Sequence, residues 1–155
     1  MSVAVVSRED AVQPELPMPF RPPAAPAAVA LLAQAGRGLV EARRELYPAE
    51  RFTTSYLSAL RAAAAVLSAR GRPHRGRAKP ASVWVLLESA APELREWAFF
   101  FAAHSATQAA VQAGITGRLT VRMADDLLRQ SEQFVELARR VVHGAVTSSG
   151  FVDQA

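Results

Sequence analysis

At 155 residues and 16.6 kDa the chain is sized for one domain with a single core. Half of its residues are hydrophobic, 32 are Ala and 7% are aromatic, so the core is expected from Ala, Leu and Val on helices, which argues against an all-β architecture. The lack of Cys excludes a disulfide framework, a thiolate metal site and a cysteine nucleophile, and the net charge of +4 rests on 17 Arg and one Lys, a bias that reads as base composition.

Residues 1–26 hold six of the ten prolines and few large apolar groups, so a flexible Pro-rich arm is expected there. The apolar stretch 24–35 follows an acidic, proline-rich segment rather than a short basic one, and so does not read as a secretory signal. Over 27–47 the apolar positions Val29, Leu32, Gly36, Val40 and Leu46/Tyr47 recur near the helical period and stop before Pro48. A second helix is predicted over 49–70 from the stripe Phe52, Tyr56, Leu60, Ala63 and Leu67, with Gly71 placed for a left-handed cap. After a basic loop over 70–81, Ser82 can cap a short helix whose Trp84 and Leu87 share a face.

Pro92 suits the opening of a third long helix, predicted over 92–113 and stopped by Gly114. Its neighbourhood contains 21 residues without a formal charge, Trp97 to Gly117, long enough to span a bilayer. His104, Ser105, Thr107, Gln108 and Gln112 interrupt that run, so it reads as a buried helix of a protein with no membrane contact, expected in the cytoplasm. Thr120 is the expected N-cap of the last helix, which carries the stripe Ala124, Leu127/Leu128, Ser131, Phe134/Val135, Ala138 and Val141/Val142 to Gly144. On its polar face Asp125 with Arg129 and Glu136 with Arg140 have the spacing of helix ion pairs. A flexible tail is expected over 145–155, and the domain over 27–144 is expected to be an all-α, up-and-down bundle.

Little in the sequence points to catalysis. The three histidines are far apart, no HxxxH or HExxH pattern exists, and no metal is expected. Asp125 and Asp126 sit where the helix dipole favours acids, and neither phosphate-cradling glycine motif is present, so no cofactor is expected.

Two features remain. Trp97, Phe99, Phe100 and Phe101 step about 100° apart on a helix, so they cannot share one face. Either that helix is buried all round or its second face makes a dimer or hetero-partner contact. Arg70, Arg72, Arg75, Arg77 and Lys79 place five positive charges in the basic loop, more than the whole net charge, so the rest of the chain is slightly acidic. Clustered Arg with Gly and Pro can follow a phosphate backbone, and Arg70-Gly71-Arg72-Pro73 resembles the core of an AT-hook, although Ala69 stands where a proline is usual.

The segments TSYLSALRAAAAVLSARGRP, SVWVLLESAAPELREWAFFFAAHSATQAAVQAG and MADDLLRQSEQFVELARRVV, in that order, resemble the actinobacterial SAV_6107-type branch of the HEPN-domain superfamily. The resemblance covers about 27–144. It implies a four- or five-helix bundle that often dimerises, and in catalytic members a metal-independent ribonuclease with an R-x(4 to 6)-H motif. None of Arg139/His143, Arg70/His74, Arg140/His143 or Arg95/His104 has that spacing. The leading expectation is therefore a non-catalytic adaptor that dimerises or docks on a nucleic-acid-handling partner. The alternative is a toxin- or defence-type ribonuclease with Arg139 and His143 as an irregular pair.

Overall fold

A computed structural model describes residues 23–71 and 82–144, which form an all-helical bundle. All of the expected arm but its last residues, residues 72–81 of the basic loop and the tail 145–155 lie outside the described residues. The elements are α1 (Pro26–Arg44), α2 (Pro48–Arg70), α3 (Val83–Ala90), a 3-10 turn (Pro92–Leu94), α4 (Arg95–Ala103), α5 (Ser105–Gln112) and α6 (Val121–Val142).

α1 begins on Pro26 and ends three residues before the expected Tyr47, because Pro48 serves as the first residue of α2. Its buried face is Ala28, Leu32, Ala35, Gly38, Leu39 and Ala42; of the expected stripe Leu32 is buried, Val29 and Val40 are 45% and 42% exposed, and Leu46 and Tyr47 are exposed beyond the helix end. The physical reason is size. Small residues at 28, 35, 38 and 42 let α1 lie close on α2, and the larger valines are left at the margin.

α2 is the central element, packed against α1, α3, α5 and α6. Phe52, Tyr56, Ala63 and Leu67 are buried as the stripe predicts, with Leu60 half-buried, and Ser55, Ser58, Ala59, Ala62, Ala65 and Val66 extend burial around the helix. Gly71 ends it in the left-handed region, φ +86°, and its N–H donates to the Leu67 carbonyl at 2.8 Å.

Ser82 Oγ accepts from the Val85 N–H at 3.2 Å, and Trp84 and Leu87 enter the core as expected. The expected third long helix is broken in two at His104. Its backbone N–H bonds the Phe101 carbonyl, while its ring Nδ1 lies 2.8 Å from the Phe100 carbonyl that a continuing α-helix would use. Ser105 Oγ likewise donates to the Ala102 carbonyl, so two adjacent side chains compete with the helix ladder at one turn. α5 then closes in a Schellman motif, with Gly114 at φ +85° and the Ile115 N–H on the Ala110 carbonyl. Among the described residues no helix is long and apolar enough to cross a membrane.

Thr120 Oγ1 caps α6 by accepting from the Met123 N–H at 3.0 Å. The α6 stripe is buried at Ala124, Leu127, Ser131, Phe134, Val135, Ala138 and Val141. Its ion pairs differ from the expected ones: Arg129 pairs with Asp126 and Arg139 with Glu136, each three residues apart. Asp125 is taken by Arg51 of α2 at 2.5 Å, and Arg43 of α1 reaches Glu132 at 2.6 Å, so α6 is tied to both other long helices.

The centre of the core is aromatic. Phe101 stacks on Trp84 with ring centroids 5.0 Å apart, and Phe134 approaches it to 5.2 Å. Trp97 fills the far side, 5.7 Å from Phe134.

Candidate functional site

The structure separates the aromatic run by helix angle. Trp97 and Phe101 are fully buried in this chain's own core, which corrects the expectation that they form a partner surface. Phe100 is half-buried against the His104 ring, at 4.4 Å. Phe99 alone of the four faces outward, 57% exposed.

Of the five basic-loop residues, Arg70 is described and the other four, Arg72, Arg75, Arg77 and Lys79, are not. The Arg70 guanidinium is compensated within the chain. It pairs with Glu93 at 2.5 Å and donates to the Ala90 carbonyl at 3.3 Å, tying the end of α2 to the 3-10 turn. The hydrogen bond from Arg70 holds the Glu93 carboxyl below the ordinary carboxylate value, against the opposing effect of burial. Arg70 is therefore a structural residue first.

Arg139 and His143 are one turn apart at the end of α6, and the His143 N–H donates to the Arg139 carbonyl at 3.1 Å. The Arg139 guanidinium donates instead to Glu136, at 2.9 Å, while His143 is the exposed C-cap of the helix. Among the described residues no group of three or more His, Asp or Glu is placed to hold a metal ion.

A feature the sequence reading missed lies on the opposite helices. Gln34, Arg37, Gly38, Val40, Glu41 and Arg44 of α1 and Arg61 of α2 line an open groove of about 680 Å³. Three guanidinium groups face a single carboxylate there. Among the described residues none of Arg37, Arg44 and Arg61 has an ion-pair partner. The spacing 34, 37, 41 and 44 is a helical face, but Arg61 joins it only through the pairing of α1 with α2. A charge count along the chain does not show that convergence.

A second, narrower cavity of about 300 Å³ lies between Phe52 of α2, Phe100 and His104 at the α4–α5 break, and Met123, Asp126, Leu127 and Gln130 of α6.

A family model for SAV_6107-like HEPN domains matches residues 42–139. The chain belongs to the SAV_6107-like HEPN family. The HEPN match takes in Arg44, Arg61 and all seven cavity residues, whereas Arg37 and His143 lie outside it. No curated protein and no solved structure matches the chain.

Proposed function

We propose that this HEPN domain is a non-catalytic adaptor that binds the phosphate backbone of a nucleic acid and works beside a second protein or a second copy of itself. The observation that carries the reading is the groove of Arg37, Arg44 and Arg61, three permanent cations without an ion-pair partner among the described residues. Arg61 lies nine residues, about 13 Å of helix, before Arg70, where the basic loop begins. Groove and loop thus start from the same central helix, and both suit an extended polyanion. Phe99, the outward ring of the aromatic run, is the contact assigned to the partner.

Labelled single-stranded RNA and DNA, titrated across a salt series and inspected for cleavage in the same samples, test this. Binding is expected to weaken log-linearly with salt and to leave the strand intact. The triple substitution Arg37→Gln, Arg44→Gln and Arg61→Gln should reduce the salt slope by about 2 to 3. Unchanged affinity and slope in that variant would overturn the groove assignment. Cleavage that disappears in His143→Ala would replace the adaptor with the ribonuclease alternative.

A further inference from the structure

The groove of three cations is one end of a longer track. Val29, Ala33, Arg37, Val40 and Arg44 follow one another at steps of four, four, three and four residues, so they share one face of α1, and all are exposed. From Pro26 to Gly36 the helix carries no charged residue. The face is therefore apolar over its first turns and cationic beyond them, where Arg61 joins Arg37 and Arg44 and Glu41 alone opposes them. A ligand for this track needs apolar groups and carboxylates, in that order along its length. The chain itself contains such a segment. Running back from Pro23, where the described residues begin, it offers Phe20, Met18 and Leu16 alternating with prolines, and then Glu15, Asp10 and Glu9. From Glu9 to Phe20 there are three carboxylates and no Lys or Arg, with Arg8 and Arg21 at the flanks.

We propose that residues 9–20 dock back along this face of α1, with Leu16, Met18 and Phe20 against Val29 and Ala33 and the three carboxylates at Arg37, Arg44 and Arg61, so that the arm and a polyanion compete for one groove. The competition rests on the polyanion reading; the docking does not. The lengths agree. Glu15 is 11 residues before Pro26, a reach of about 35 Å for extended chain, and Arg37 lies 11 residues, about 17 Å, along the helix from the same point. Asp10 has a reach of about 50 Å from Pro26, and Arg44 lies about 27 Å along α1. Each acid therefore meets a cation with chain to spare for the reversal before α1. Pairs of exposed charges are weak singly, but a tether of this length holds the arm at an effective concentration in the millimolar range, which no separate acidic partner matches without being abundant. The prolines reduce the conformational freedom lost on docking.

The chain has no Cys, so Val12→Cys in the full-length protein carries a single nitroxide. In isotopically labelled protein at low salt, the label is expected to broaden the amide signals of Arg37 to Arg44 and the side-chain signals of Arg37, Arg44 and Arg61, and to leave those of α4 sharp. Raising the salt to 1 M, where the screening length falls to about 3 Å, should restore the lost intensity. So should the arm variant Glu9→Gln, Asp10→Asn and Glu15→Gln, whose changes all lie outside the bundle. The same arm variant without the nitroxide should bind a labelled single strand at least about twofold more tightly than the wild type at low salt, the factor expected when the arm fills the groove half the time. Labelled protein mixed with an unlabelled, nitroxide-bearing copy should show no broadening. The docking is overturned if α1 is not broadened, if the arm variant is broadened as much as the wild type, or if the mixed sample broadens equally, which would make the occupant a second copy. Broadening that the arm variant loses, with no strand bound by either protein, supports the docking and overturns the polyanion reading. Equal strand affinity of the two proteins overturns the competition.

Discussion

The Tyr56 hydroxyl accepts a hydrogen bond from Trp84 Nε1 at 2.9 Å and donates its own proton to the Phe101 carbonyl at 3.3 Å. Three elements, α2, α3 and α4, are thereby joined at one buried oxygen, and the Tyr56 ring meets the Trp84 and Phe101 rings edge-on. Tyr56→Phe keeps the ring contacts but leaves the indole N–H buried without its acceptor. The expected loss is about 1–3 kcal/mol of stability. Urea unfolding checks it: the midpoint should fall with the slope unchanged.

The same hydroxyl confers sensitivity to alkali. Burial raises the Tyr56 pKa above its ordinary value of 10.0, only partly offset by the hydrogen bond from Trp84, which favours the phenolate. The folded state therefore holds the proton more tightly than the unfolded state. Its contribution is fully present below pH 10 and is lost as pH rises above 10 through the folded-state value. Thermal midpoints measured on both sides of pH 10 should drop more steeply in the wild type than in Tyr56→Phe, and parallel curves would contradict the assignment.

Glu93 acts at the other end of the scale. Its carboxyl is held down first by the hydrogen bond from Arg70, so the folded state favours the carboxylate. The stabilisation is present above the ordinary value of 4.5 and disappears as pH falls below it through the folded-state value. Both side chains keep some exposure, which limits the pair to about 1 kcal/mol. Glu93→Gln should lower stability by no more than that at neutral pH and should flatten the acid limb of the curve. High salt should shrink the difference between the two proteins.

Wherever a local signal was complete in itself, the sequence made the structure legible. The caps Ser82 and Thr120, the stop at Gly71 and the α6 stripe each need only neighbouring residues, and all stand in the structure. The buried face of α1 was not legible, because Ala and Gly carry too little apolar weight to outvote Val29 and Val40 in a periodicity. Nor was the break at His104, which depends on a ring turning back onto its own helix. The candidate sites divide in the same way. Arg70 looked like the first residue of a basic loop because Glu93, which compensates it, is 23 positions away in the chain. The groove and the cavity each draw residues from more than one helix, so they exist only after the helices have paired.

The contact between Gly38 of α1 and Ser58 of α2 gives the last prediction. A Cβ placed on Gly38 would lie 2.2 Å from Ser58 Oγ but 3.6 Å from Ser58 Cβ, so the hydroxyl alone occupies the space. Mid-helix Gly→Ala is normally favourable by up to about 1 kcal/mol, and in Gly38→Ala the clash should reverse the sign and destabilise by about 1–3 kcal/mol. Ser58 Oγ is buried and has no hydrogen-bond partner among the described residues, so Ser58→Ala by itself should be neutral or stabilising. With the hydroxyl gone, the methyl introduced by Gly38→Ala meets the remaining Cβ at ordinary contact distance, and the double variant should recover most of the loss. A double-mutant cycle in urea reads this as a coupling energy whose sign favours the pair. Additive effects would mean that the helices separate instead of the hydroxyl yielding, and that the close contact at Gly38 does not set the spacing of α1 and α2.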